Sequence, residues 1–305
     1  VAAVLELNRV TKIFDRGLFQ SRVRALAAVD LEVGAGEVFG LLGPNGAGKT
    51  TTIKIITGIV RLTSGRVRIC GLPHDDPRAR RRIGFMPEMP YFYRHLTGVE
   101  FLRLCADLLG MSAESREPRI REIVETVGMA DRADGMMRSF SKGMLQRLSL
   151  AQALLGSPDL LILDEPMSGL DPLGRRDVRD IILAERDRGT TVFFSSHVIP
   201  DVETLCDRVA LMVSGTVRIV GTVRDLMVQD QETSEATFSG LAIDDLTTPV
   251  VAGREASDGS WVRVASEHRD DLVAELADRG ARLISLAPVR RSLEDFLVRH
   301  VEEDT

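Results

Sequence analysis

What this 305-residue chain lacks narrows it first. It has three cysteines, Cys70, Cys105 and Cys206, odd in number, far apart and without metal-ligand spacing. That excludes a disulfide framework and a cysteine zinc site, and it fits incidental thiols of a reducing compartment. Basic residues are not in excess: 39 Lys and Arg stand against 45 Asp and Glu, a formal net charge of -6. The electrostatic footprint of a nucleic-acid binder is missing, so no nucleic-acid partner is expected. No apolar run approaches the length of a membrane span. Residues 1–10 are too short and too polar a stretch for a signal peptide. If such a protein serves a membrane, it does so through a partner chain. Tyrosine occurs only twice, in Met89-Pro90-Tyr91-Phe92-Tyr93.

What is present is ordinary in bulk and specific in detail. Hydrophobic residues make up 44% and charged residues 28%, the balance of a globular protein with a proper core. The stretch Gly43-Pro44-Asn45-Gly46-Ala47-Gly48-Lys49-Thr50-Thr51 fits the pattern G-x-x-x-x-G-K-[ST] without a mismatch. Its glycines let the backbone curl and approach a phosphate. The curled loop turns N–H groups inward as a nest for anionic oxygens. Lys49 then reaches the outer phosphates and the Thr50 hydroxyl is placed for magnesium. Residues 38–42 read as the preceding buried strand, and 51–57 as the helix whose N-terminus faces the phosphates.

Along the chain, residues 4–10 and 26–33 read as half-buried antiparallel strands separated by a polar loop at 15–22. Residues 65–69 read as an edge strand, giving a mixed sheet around the phosphate loop. From about 87 to 155 the pattern is helical. Phe101, Leu102, Cys105, Leu108 and Leu109 form one apolar face, and Ile120, Ile123, Val124 and Val127 another. A third helix spans 144–155. Strand and helix then alternate: a buried parallel strand at 160–163, a helix capped by Asp171 with Pro172 first, a strand at 190–194, and a hairpin from 208–213 and 216–220. Residues 225–245 turn polar and lose their pattern. Beyond them, 260–265 and 282–286 read as strands and 268–279 and 291–301 as helices.

Further chemistry collects downstream. The apolar strand ends in Asp164-Glu165, carboxylates suited to holding magnesium and to orienting or deprotonating an attacking water. Ser139-Phe140-Ser141-Lys142-Gly143-Met144 lies upstream, Ser168-Gly169-Leu170-Asp171 follows, and Ser195-Ser196-His197 ends the next strand.

The order of these motifs resembles the ATP-binding cassette (ABC) family of ATPases over about residues 4–225. The resemblance implies an α/β fold: a phosphate-loop core of mixed sheet and helical subdomain (about 88–155), a linker at 226–245, and a small C-terminal α/β domain at 246–305. It implies ATP and Mg²⁺ as cofactors. Residues 43–51 become the ATP loop, with Thr50 and Asp164 on magnesium and Glu165, His197 and Lys49 catalytic. Phe14 matches the adenine-stacking aromatic and Val23 its apolar neighbour. Ser141, Lys142 and Gly143 match the signature that meets ATP bound to another subunit, and Asp171 matches the acid of the following loop. Partners implied are a second copy or a paralogous cassette, and a separate transmembrane permease that would hold the chain at the inner face of the cell membrane, in the cytoplasm.

Two departures stand inside the cassette. The signature, commonly Leu-Ser-Gly-Gly-Gln, reads Phe140-Ser141-Lys142-Gly143-Met144. The loop glutamine is replaced by Glu88, after Ile83-Gly84-Phe85-Met86-Pro87, an acid able to join the magnesium shell. Both resemble single-cassette subunits of type-two exporters, as does Arg290-Arg291-Ser292-Leu293-Glu294-Asp295-Phe296-Leu297. The reading implied is an exporter's ATP-hydrolysing subunit. The alternative is a soluble mechanical cassette ATPase not tied to transport.

Overall fold

The computed structural model describes residues 3–15, 22–228, 233–256 and 259–288. The chain divides into two compact units, Val1–Val223 and Arg224–Thr305.

In the first unit β1 (Ala3–Phe14) and β2 (Val23–Gly34) pair antiparallel, with Leu7 opposite Leu31 and Phe14 opposite Val23. Arg9 and Ala28, at φ 46° and 49°, mark bulges that shift the ladder. The buried set accordingly skips a step, from Leu7 to Val10 and from Leu26 to Val29. A turn leads to β3 (Val38–Leu42), buried throughout, and then to α1 (Lys49–Ile56). β4 (Ser64–Ile69) lies beside β1, and β5 (Leu72–Pro73) lies outside β4. Residues 65–69 are therefore an interior strand rather than the expected edge. The true edge has two residues, too few to leave a periodic signal.

After α2 (Pro77–Arg80) comes β6 (Ile83–Met86), a strand that the sequence pattern does not disclose. α3 (Gly98–Leu108), α4 (Ala113–Thr126) and α5 (Lys142–Leu154) follow. Thr97 and Glu100 open α3 with a reciprocal capping box. Ile120, Ile123, Val124 and Val127 are buried, as their spacing requires. On α3 the stripe is shorter than expected: Phe101 and Leu102 are buried, but Leu108 is 80% exposed and Leu109 is also exposed. An apolar stripe tells which side faces inward, not how far its cover extends.

β7 (Leu160–Asp164), α6 (Pro172–Asp187), β8 (Thr191–Ser196), α7 (Ile199–Leu205), β9 (Arg208–Val213) and β10 (Thr216–Thr222) complete the unit. A six-stranded sheet runs β10-β9-β3-β8-β7-β6, parallel except at β10, so a mixed sheet holds the phosphate-loop strand, but β1, β2 and β4, expected in that sheet, form a separate antiparallel one with β5. β3 sits between β9 and β8, far from its chain neighbours. The carboxyl ends of β3, β8 and β7 thus open on a switch point, where α/β sheets bind ligands.

α8 (Val223–Val228) comes next along the chain. In the second unit β11 (Thr233–Ser239), β12 (Val250–Ala256), β13 (Gly259–Ala265) and, after α9 (Arg269–Asp278), β14 (Arg282–Pro288) make an antiparallel sheet in the order β12-β13-β11-β14. Its core joins Ala236, Phe238, Val262 and Val264 to Leu272 and Leu276 of α9. β11 is interior to this sheet, yet it lies within 226–245, the stretch read as a linker. Its inward residues Ser234, Ala236 and Phe238 alternate with polar ones, but two of the three are too small to register as a hydrophobic strand. The helix expected over 291–301, the segment 290–297 and residues 16–21 of the expected loop lie outside the described residues.

Candidate functional site

The glycine-rich loop leaves the end of β3 and enters α1 at Lys49. Gly48, the residue before the helix, has φ 109°, and a Cβ there would lie 2.8 Å from Leu26 Cδ2. Glycine alone meets both conditions. No side chain caps α1, so the N–H groups of its first turn remain available to an anion.

Lys49 is buried, and its Nζ donates to the Gly43 carbonyl at 2.6 Å and the Pro44 carbonyl at 3.3 Å. The same ammonium stands 3.6 Å from Glu165 Oε1. Thr50 Oγ1 lies 3.4 Å from Asp164 Oδ1 at the end of β7. Ser195, on β8, joins the two carboxylate residues: its hydroxyl donates to Asp164 Oδ1 at 2.6 Å and accepts the Glu165 N–H at 3.2 Å. Glu165 adopts φ 51°, a left-handed conformation costing on the order of 1 kcal/mol outside glycine. Its Oε2 meets His197 Nδ1 at 2.9 Å. Burial raises the pKa of Asp164, with the nearby charges of Glu88 and Glu165 pushing the same way and the hydrogen bonds from Ser195 and Thr50 opposing.

These groups surround a cavity of about 230 Å³ lined by Ala25, residues 44–51, Glu88, Glu165 and His197. A smaller one of about 90 Å³ extends from Glu165 and His197 to Ser168, Gly169 and Arg175. The structure thus gathers the loop, Asp164, Glu165, His197 and Glu88. Phe14 and Val23 do not line the cavity. They face each other across β1 and β2, with Val23 two residues from Ala25, and Lys12 Nζ sits 4.6 Å from the Phe14 ring centroid. Ser141, Lys142 and Gly143 do not line it either. Ser141 caps α5 by accepting the Met144 N–H, Lys142 packs against Gly169, and Gly143 lies beside Leu170. Asp171 caps α6 through the Gly174 N–H at 2.6 Å.

Sequence reasoning missed Ser195 and Ala25. Ser195 stood in the Ser195-Ser196-His197 segment, where its place beside a strand-end histidine was the available signal. Ala25 had none. Gln146, just past the signature, is buried and donates to the Pro166 carbonyl at 2.9 Å, fixing the chain just after the carboxylates.

Strand order and distances together define a class: a phosphate-loop protein whose paired carboxylates and histidine face the loop. Comparison with known proteins narrows it. The family described as ABC transporter matches residues 26–168. An ABC transporter ATP-binding protein of Synechocystis is 39% identical over 99% of this chain and 86% of its own length. A fluoroquinolones export ATP-binding protein of Mycobacterium tuberculosis is 39% identical over 72% of this chain and 77% of its own. Among solved structures, an ATP-binding subunit of an ABC transporter superposes with a TM-score of 0.66 at 32% identity, covering 74% of this chain and 92% of that one. A cassette captured as a dimer in a post-hydrolysis state with ADP and phosphate has the same TM-score at 26% identity, covering 72% and 98%. This chain belongs to the ATP-binding proteins of the ABC transporter family.

Proposed function

We propose that this chain works as a pair, closing head to tail on two ATP molecules and driving a separate membrane subunit, in the export direction. One observation carries the pairing. The cavity holds the loop, Glu165 and His197, whereas Ser141, Lys142 and Gly143 of the same chain do not line it. A second copy supplies them.

In this reading the loop N–H groups and Lys49 hold the β- and γ-phosphates of ATP. Glu165 positions the attacking water and accepts its proton, and His197, bonded to Glu165, fixes that carboxylate and meets the terminal phosphate. Phe14 and Val23 flank the adenine on the Ala25 side, and Asp171 shapes the loop at the shared interface. Thr50 and Asp164 would hold magnesium. Among the described residues no three His, Cys, Asp or Glu side chains are arranged to bind a metal by themselves. A hydroxyl and a carboxylate 3.4 Å apart nevertheless fit this ion, which usually takes one or two protein ligands and completes its shell with water and phosphate. When bound, it would neutralise phosphate charge, and Glu88, which lines the same cavity, would be a further oxygen ligand for it.

Docking to a permease is supported by exposed apolar residues beside Glu88: Met89 is 86% and Tyr91 91% exposed. Phe92 is not part of that surface, since it is buried edge-on against Phe101. No helix among the described residues is long and apolar enough to cross a membrane. The fluoroquinolones export relative supports the direction.

The test is a Glu165→Gln chain in ATP and magnesium, followed by size-exclusion chromatography. It should bind ATP, turn over very slowly and elute as a dimer. A monomer under saturating ATP would refute the shared site.

A further inference from the structure

A second cavity, of about 710 Å³, shares no lining residue with the nucleotide cavity. It is formed by the turn after α1, by β4 and by the approach to α2. Arg61, Arg66, Arg68 and Arg80 line it together with His74, and Asp75 is the one acid. Arg66 and Arg68 stand two apart on β4, hence on one side of the strand. Arg80 lies over Gly58, where a Cβ would come within 3.2 Å of its Nε, so glycine leaves room for the guanidinium to cross.

The pairing of nearby arginines sharpens the observation. Arg78 is bonded to Asp76 and Arg82 stands 3.7 Å from Asp159. The four lining arginines form no salt bridge with any described residue. Asp75 shares the cavity and Glu6 stands opposite Arg68 in the β1–β4 ladder, so the guanidinium groups outnumber the acids around them, and exposed like charges repel one another weakly. They do so in a chain of net charge -6, where acids are plentiful. An anionic ligand removes that cost.

We propose that this cavity binds a small molecule carrying two or more phosphate groups. Guanidinium forks match phosphate oxygens in bidentate pairs. The volume falls within the range of about 300–1,000 Å³ typical of small-molecule sites. The proposal stands apart from the pairing and transport readings, because no residue is common to the two cavities.

Inorganic tripolyphosphate is the probe, titrated calorimetrically into the full chain. Lys49→Ala is used as background, to weaken binding at the phosphate loop. The Lys49→Ala protein should release heat on binding, with an affinity that falls steeply as salt is raised. Adding Arg66→Ala and Arg68→Ala should weaken that binding by about tenfold or more. Both arginines are exposed, so the substituted protein should melt no lower than the Lys49→Ala protein, separating loss of the site from loss of the fold. Equal binding by both proteins, or absence of heat from the Lys49→Ala protein, overturns the proposal. Binding of a poly-glutamate peptide without binding of tripolyphosphate also overturns it, in favour of an acidic protein partner.

Discussion

The two units of this chain are both mixtures of helix and sheet, but they carry information differently. In the first, chemistry is concentrated: Lys49, Asp164, Glu165, Ser195 and His197 come from three segments spread over about half the chain and meet within hydrogen-bonding or ion-pair range. In the second, the described residues form a packed sheet with one helix, and the best-connected polar group serves the fold. Glu275 accepts from the N–H and hydroxyl groups of both Thr247 and Thr248 at 2.6–2.8 Å. Those bonds hold its carboxyl down to about 2. A carboxylate that faces the candidate cavity marks chemistry in one unit, and an equally covered carboxylate satisfied by its own fold marks stability in the other.

The sharpest way to break this contrast is to exchange charge for shape. Glu165→Gln should lower steady-state ATP hydrolysis by about a hundredfold or more while ATP binding persists. A chain ending at Val223 should keep its hydrolysis, measured in the same phosphate-release assay. A truncated chain as inactive as Glu165→Gln would erase the distinction.

Ser195→Ala sharpens it within the first unit. It removes the hydroxyl that joins Asp164 to the Glu165 backbone, leaving both carboxylates in place. Hydrolysis should fall by about tenfold, a loss on the scale of one charge-assisted hydrogen bond. An unchanged rate would show that β7 alone fixes the pair.

Glu88→Gln tests the electrostatics. Glu88 raises the pKa of Asp164, so its removal lets Asp164 ionise at lower pH. The acid limb of the pH–rate profile should therefore move to lower pH. Movement the other way would place Glu88 in a supporting role on the metal.

The smallest effect belongs to the second unit. Because the folded-state pKa of Glu275 is depressed, its contribution is present above the ordinary carboxylate range and is lost as pH falls towards about 2. Glu275→Gln should lower the melting temperature at neutral pH by about 4 °C, with a flatter dependence below pH 5. Hydrolysis should not change.

The same division governs what could be read from sequence. The loop, the carboxylates and His197 are legible because phosphate chemistry demands particular residue types at fixed spacings. Buried strands such as β7 are legible because Leu160-Leu161-Ile162-Leu163 is an unbroken apolar run. Ser195 was overlooked because its role depends on β8 lying beside β7, a fact of topology. β11 was overlooked because Ser234 and Ala236 face inward without being hydrophobic enough to signal it. That Ser141 serves another subunit's nucleotide was implied by the family resemblance; that it does not line its own chain's cavity is a matter of three-dimensional placement.

Calorimetric titration of ATP with magnesium into wild-type and Lys49→Ala protein tests the central claim most directly. Saturable heat from the wild type and its loss or severe weakening in Lys49→Ala are expected, since Lys49 is the buried cation of the cavity. Equal affinity in the two proteins would contradict the placement of the nucleotide.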